Sequence, residues 1–383
     1  MIHSAVPFIP TELSNFEAKI FNLVTSGGRL TEADALELYH SNNIPFLAYL
    51  ASWVRHQKHG LKTYFNRNFH IEPTNICVYT CAFCAFARKP GEEGGWEYSL
   101  EDVENQVKRF NGVPITEIHI VGGVHPKRGV EYYGETIRRI KAIRPEIHVK
   151  GFTAVELKVM FARSRMTYEE GLLSLKNDGL DSLPGGGAEI FDPEIRKQIC
   201  ETKASADEWL AIHETAHRLG IPSNCTILYG HMETYKHRVH HLAKLRDLQD
   251  KTHGFNTFIP LKFRRENNDM AHIVETSIIE DLKNYAISRL FLDNIPHIKA
   301  YWPMIGRETT QMSLSFGVDD IDGTIDDSTK IYSMAGAEDQ TPSMTTPELI
   351  QLIKNAGYQP IERDSIYNQL HDYSVETFTE LIS

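Results

Sequence analysis

No apolar run in these 383 residues approaches the roughly 20 that a membrane-spanning helix needs. The most apolar stretch, Phe46 to Val54, is short and broken by Ser52, so no membrane role is expected. Positive charge is in deficit: 40 lysines and arginines face 51 acidic residues, a formal net charge of −11. Nucleic-acid binders carry a basic surface, and that class is excluded. A small anionic ligand is not excluded, because a site can be locally basic on an acidic protein. The start, MIHSAVPFIP, lacks the charged and then apolar regions of a signal peptide. The expected compartment is therefore the cytoplasm, where thiols stay reduced. Low-complexity segments, linkers and internal repeats are missing too. Cysteine is scarce: there are five, three of them within eight residues, with Cys200 and Cys225 standing far apart. An odd count clustered this way reads as metal binding and not as a disulfide framework. Cys200 and Cys225 read as inert core or loop residues.

What is present is ordinary globular material, 41% hydrophobic and 24% charged, long enough to build a core without disulfides. Residues 1–66 read as a helical extension. Thr31 can cap a helix over LTEADALELYH, and FLAYLASWVRHQKHG reads as a second helix stopped at Gly60. From residue 67 to 337 short strands alternate with longer helices. The candidate strands are 69–75, 115–121, 147–153, 180–184, 223–230, 255–263, 296–302 and 312–317. Helical stretches lie between them, with Ser99 and Ser205 as caps at two starts. Alternation implies parallel pairing through right-handed crossovers, and eight strands suggest a closed (β/α)₈ barrel of the TIM type, an α/β fold. Residues 338–383 read as a C-terminal helical extension, with Thr346 as its candidate cap.

The segment NICVYTCAFCAFARKP places Cys77, Cys81 and Cys84 on the loop after the first barrel strand, on the face where barrel active sites form. A [4Fe–4S] cluster normally takes four thiolates. Three would leave one iron open to substrate, by the logic that keeps catalytic metal sites incomplete. Two other readings of the spacing stand beside this one. One is a structural Cys₃His zinc site borrowing His70 or another histidine, although no second C-x₂-C or H-x₃-H element is present. The other is a four-ligand electron-transfer cluster.

The C-x₃-C-x₂-C loop, with Phe83 just before its last cysteine, resembles the signature of the radical S-adenosylmethionine superfamily. VGGVHP, after the second strand, resembles the glycine element of that family. The likeness runs from about His70 to Ala337, through KGFTAVE, LPGGGAEIF, LYGHMET, GFNTFIPLKF and SFGVDDIDGT. It is nearest to the aminofutalosine synthases of the futalosine route to menaquinone, with the dehypoxanthine futalosine cyclases as the runner-up. In place of the His-Pro-Glu-Asn-like run common after the sixth strand there, this chain has Arg264-Arg265-Glu266-Asn267.

The resemblance implies a [4Fe–4S] cluster on Cys77, Cys81 and Cys84, its fourth iron chelated by S-adenosylmethionine. It places Phe83 against the adenine, Gly122 and Gly123 against the methionyl amino group, and Glu156, Ser182 and Glu189 around the ribose and methionyl groups. His125 and His231, just beyond two strands, are candidates for acid–base work or for holding substrate carboxylates, with Lys262 and Arg264 as further cations. Asp319, Asp320 and Asp322 lack the spacing of a calcium loop and read as a structural loop at the last strand's end. The implied substrate is a small aryl enol-ether carboxylate, 3-[(1-carboxyvinyl)oxy]benzoate. The implied partner is a reducing electron donor such as flavodoxin or ferredoxin.

Overall fold

The computed structural model of the chain describes residues 13–323, 330–337 and 343–376. It opens with helices α1 (Asn15–Thr25), α2 (Glu32–His40) and α3 (Ile44–His59). Thr31 caps α2 as its sequence suggests. Its hydroxyl accepts the Asp34 N–H at 3.1 Å while the Asp34 carboxylate accepts the Thr31 N–H at 3.0 Å, so two orphan donors are satisfied reciprocally. Helix α3 stops at Gly60, whose φ of +59° favours glycine.

Strands β1 (Lys62–Phe65) and β2 (Asn68–Ile71) come next, then α4 (Leu100–Lys108), β3 (Glu117–Ile120), α5 (Val130–Ile143) and β4 (His148–Gly151). Four helices follow: α6 (Ala154–Ser164), α7 (Tyr168–Asp178), α8 (Pro193–Cys200) and α9 (Ala206–Arg218). The alternation resumes with β5 (Ser223–Tyr229), α10 (Tyr235–Thr252), β6 (Phe255–Lys262), α11 (Ile278–Phe291) and β7 (His297–Ala300). Two short helices, α12 (Trp302–Ile305) and α13 (Arg307–Ser313), lead to β8 (Asp320–Ile321). Ser99 and Ser205 cap α4 and α9.

Strands β2, β3 and β4 pair in parallel. Parallel bridges from Lys150 to Ser182 and from Leu183 to Ser223 carry the sheet through residues 182–183 to β5. From there β5, β6, β7 and β8 follow in order. The Asn68 N–H meets the Gly323 carbonyl at 3.5 Å and joins the last strand to β2. The result is a (β/α)₈ barrel whose fourth stave is two residues long.

The eighth strand is not the segment 312–317. That stretch ends α13 and continues as a 3₁₀ turn, Leu314–Phe316. Its apolar residues follow helical packing, with Leu314 buried and Met312 exposed. The strand is instead the acidic segment read as a loop. Asp319, Asp320 and Asp322 are all buried, and each meets a cation: Arg289 at Asp319, Arg363 at Asp320 and Lys299 at Asp322. Three acids within four residues hide a strand from hydrophobic patterning, and pairing is what lets them be buried.

The N-terminal helices clamp the outside of the barrel. Arg55 of α3 is fully buried, donating to the carbonyls of Val318, Gly60 and Lys62 at 2.8, 2.9 and 2.8 Å. The Tyr39 hydroxyl of α2 reaches Asn284 of α11 at 2.6 Å. Beyond the barrel lie α14 (Ile331–Met334) and α15 (Thr346–Asn355), the latter capped by Thr345, one residue before the candidate. The C-terminal segment also holds two strands that its sequence does not announce. β9 (Gln359–Arg363) pairs in parallel with β1, and β10 (Gln369–Asp372) pairs antiparallel with β9.

Closure leaves no room at Gly323, where an added Cβ would lie 1.5 Å from the Asn66 carbonyl oxygen. Gly323→Ala should destabilise the fold by about 3 kcal/mol or more. A chemical denaturation midpoint equal to that of the parent chain would refute this reading of the closure.

Candidate active site

Between β2 and α4 the chain runs a long loop whose limbs are tied to each other. The Cys77 N–H donates to Arg88 O, and the Arg88 N–H to Asn75 O, both at 2.9 Å. The Lys89 ammonium reaches the carbonyls of Cys77, Val78 and Tyr79 at 3.2, 3.3 and 3.1 Å. Asn75 donates to Gly94 O at 2.9 Å and accepts the Trp96 N–H at 2.8 Å. On this frame Cys77, Cys81 and Cys84 are free thiols lining one cavity of about 220 Å³ at the carboxyl ends of the strands. Burial pushes the Cys81 thiol up to about 12 and raises Cys77 as well. A metal must displace those protons, so its binding is coupled to pH.

Four ligands round one zinc at about 2.3 Å would stand about 3.8 Å from one another. Among the described residues, the set of ligand atoms gathered within 4.8 Å is His59, His297 and Asp319, not the three sulfurs. That set is spoken for, since Arg289 pairs with Asp319 and the His59 ring meets Pro296 O at 2.9 Å. Thiols spread along a cavity wall fit a larger, polynuclear group. Cys200 and Cys225 are buried and lie off that wall.

Gly122 and Gly123 sit where the sequence suggests, after β3 and on the cavity wall. An added Cβ would fall 2.7 Å from Thr74 O at Gly122 and 2.5 Å from Ile76 O at Gly123. Glycine is thus required for the turn to lie against the cysteine loop. Glu156 lies beneath the turn and does not line the cavity. Its carboxylate accepts the Gly122 N–H at 3.2 Å and the Thr153 N–H and hydroxyl at 2.8 and 2.7 Å. Burial raises its pKa to about 7 against those three donors.

Phe83 and Glu189 do line the cavity. Glu189 has a φ of +47°, a costly conformation for a side-chain-bearing residue. It is held by the Leu228 N–H on its carbonyl at 2.8 Å and by an ion pair with Lys203. Lys203, which no motif marks, is a half-buried cation on the same wall, 5.3 Å from the Phe83 ring centroid. In the polar run ETKASADEW it reads as a solvated lysine. Lys262 and Arg264 also reach the wall, and both are engaged. Lys262 meets Asp281 at 2.8 Å, while Arg264 meets Gly336 O at 2.8 Å and Glu275 at 3.2 Å. The Arg264–Asn267 run proves to be a fastening. The Glu266 N–H donates to Ala335 O at 3.3 Å and the Asn267 amide to Met334 O at 2.8 Å, holding α14 over the cavity mouth.

Three other nominees face away. His125 accepts the Lys127 N–H on Nδ1 at 3.1 Å and meets Glu97 through Nε2 at 3.1 Å. An amide on Nδ1 keeps the proton on Nε2, and burial lowers the ring's pKa, so His125 is a loop clip. His231 points Nε2 at Leu228 O at 3.1 Å and Nδ1 at Glu233 at 3.2 Å, its side chain fully buried. The Ser182 hydroxyl sits 2.7 Å from the His148 ring, below the cavity. Each stands near a strand end, as loop position implies, and local hydrogen bonds turn it from the cavity.

Comparison with known proteins agrees with this architecture. The model of the radical SAM superfamily matches residues 71–245, and that of the CofH/MqnC C-terminal region matches residues 252–375. An aminodeoxyfutalosine synthase of Thermus thermophilus is 45% identical over 352 residues, covering 91% of this chain and 94% of that one. A cyclic dehypoxanthine futalosine synthase of Streptomyces coelicolor is 37% identical over 361 residues, 92% of this chain and 89% of its own. Among solved structures, methylornithine synthase (PylB) superposes with a TM-score of 0.72 at 16% identity, over 90% of this chain and 97% of its own. At that identity the likeness is one of fold.

Two outcomes follow from the placement of these side chains. His125→Asn keeps an acceptor for the Lys127 N–H, so turnover should stay within about twofold while stability falls by about 1 kcal/mol; a loss of turnover beyond a hundredfold would restore His125 to the chemistry. Glu156, whose folded pKa lies above its ordinary 4.5, makes the fold lose stability as pH rises from about 4.5 to about 7. Glu156→Gln should flatten that part of the stability–pH curve, which urea titrations at a series of pH values would show.

Proposed function

The chain belongs to the radical S-adenosylmethionine superfamily, and from that premise we propose that it acts as an aminodeoxyfutalosine synthase. The observation that carries the reading is 45% identity to such an enzyme over 94% of that enzyme's length. It is supported by three thiols on one cavity wall at the carboxyl face of the barrel. Cys77, Cys81 and Cys84 would hold a [4Fe–4S] cluster, which when bound would supply the electron for cleavage of S-adenosylmethionine to methionine and a 5′-deoxyadenosyl radical.

The radical carbon then bonds to the vinyl carbon of 3-[(1-carboxyvinyl)oxy]benzoate. The aryl group moves from oxygen to carbon, the carboxyl group leaves as carbon dioxide or bicarbonate, and one electron returns. The adenosyl group stays in the product, 6-amino-6-deoxyfutalosine. The chain's own part is to bind, orient and exclude water. Phe83 offers a face to the adenine. The Gly122–Gly123 turn offers backbone to the methionyl amino group, with Glu156 bracing the turn from below. Glu189 and Lys203 stand as a pair facing ribose and carboxylate. Ile331 of α14 and Ala335 just after it, tied down by the Arg264–Asn267 run, close the mouth and keep the radical from solvent. Reducing equivalents come from a donor of the flavodoxin or ferredoxin kind.

After anaerobic reconstitution, the enzyme given reductant, S-adenosylmethionine and the enol-ether benzoate should form a product whose mass contains both adenosine and benzoate. Alanine at Cys77, Cys81 or Cys84 should abolish cleavage of S-adenosylmethionine and lower bound iron, and Cys200→Ala should do neither. Release of 5′-deoxyadenosine alone would instead favour the hydrogen-abstracting cyclase chemistry of the other relative. Cleavage persisting in Cys81→Ala would refute the ligand assignment.

A further inference from the structure

Barrel interiors of this kind are normally filled by branched apolar side chains in layers. Here, apart from Ile259 and Leu261 of β6, the inward, alternating strand positions that line the lumen are mostly polar. β2 contributes Asn68 and His70, β3 Glu117 and His119, β4 Lys150, β5 Asn224 and Thr226, and β7 Lys299, with Asp322 just after β8. They enclose a chamber of about 110 Å³ that lies below the cysteine cavity and shares Val121, Thr153, Gly186, Leu261 and Ile331 with it.

The fixed charges of the chamber cancel. Lys150 meets Glu117 at 2.7 Å; Lys299 meets Asp322 at 2.9 Å and Asp320 at 3.5 Å; Asp320 is also held by Arg363 at 2.6 Å. Tyr301 completes the wall. The His70 and His119 rings touch edge to face with centroids 4.7 Å apart. Burial, with His70 and Lys150 close by, holds the His119 ring well below its usual pKa, so it is neutral at pH 7.

A closed ionic core would satisfy its own polar atoms, but this one does not. His119 Nε2, Asn68 Oδ1 and Asp322 Oδ2 are buried with no hydrogen-bond partner. Buried polar atoms in native proteins are rarely left so, and three around one chamber mark a place for a polar group from outside. An anion arriving among cancelled charges needs compensation. A ligand carboxylate facing the Asp322 oxygen is repelled unless a proton lies between or beside them, and a neutral imidazole can hold that proton.

We propose that this chamber receives the ring carboxylate of the substrate together with one proton from solvent, held between that carboxylate and the His119 imidazole. The inference rests on the function proposed above, whose substrate carries two carboxylates. The vinyl carbon must lie at the cysteine end of the cavity, where the radical is made. The ring carboxylate is at the opposite end of the molecule and points downward, into the chamber. His119 is thus a specificity-determining residue for the ring carboxylate.

Calorimetry on the reconstituted, unreduced holoenzyme with S-adenosylmethionine, in buffers of different ionisation enthalpy, reads the proton directly. The probes are 3-[(1-carboxyvinyl)oxy]benzoate and 2-phenoxyprop-2-enoate, which lacks only the ring carboxyl group. Binding of the first should take up about one proton near pH 8 and tighten about tenfold per pH unit lowered. The second should bind more weakly with no such uptake. In His119→Gln both the uptake and the preference for the ring carboxylate should disappear. Equal uptake for the two ligands in the parent enzyme, which needs no variant to fold, would overturn the chamber's role and leave the function standing, as would a His119→Gln enzyme that still takes up the proton. A parent enzyme that binds neither ligand would overturn both.

Discussion

The structure hinges on one two-residue strand, Asp320–Ile321, and the buried carboxylates in and beside it. β8 lies between β7 and β1, and its acids are neutralised from three directions: Arg289 from α11, Lys299 from β7 and Arg363 from β9. Removing one partner of such a pair leaves an uncompensated buried charge, which costs far more than the pair contributes. The barrel therefore closes only when the outer helices and the C-terminal strands are in place. Arg55 of α3 adds to this by donating to the backbone on both sides of the junction, at Val318 and Lys62.

That closure sets the site. Once β2 is held next to β8, the loop after β2 emerges on the same face as the turn after β3. The two backbones meet at a distance only glycine permits, at Gly122 and Gly123. The cysteines, the turn and the Glu189–Lys203 pair then face one cavity, roofed by α14. The polar lumen lies under the same cavity, so one sheet shapes both spaces.

Much of this was legible in the sequence because it is written locally. The C-x₃-C-x₂-C spacing, the caps Thr31, Ser99 and Ser205, and seven of the eight staves follow from short-range pattern and periodicity. What was not legible depends on partners distant in the chain. Asp320 is a strand residue only because Arg363 is there, 43 positions later. His125 and His231 stand near the expected face, but the Lys127 amide and Glu233 turn them away. Lys203 looks solvated until Glu189, 14 positions earlier, is seen beside it. Family resemblance supplied the chemistry, and tertiary contacts decided which side chains can take part in it.

The frame of the cysteine loop stands apart from the thiols it carries. Its shape is set by bonds the polypeptide makes with itself: the Lys89 ammonium on three successive carbonyls, the Asn75 amide across the loop, and the Cys77–Arg88 ladder. None of these bonds involves a sulfur. The socket that carries the three thiols is thus shaped by main chain, lysine and amide, so a substitution at Lys89 or Asn75 would deform it without touching a cysteine.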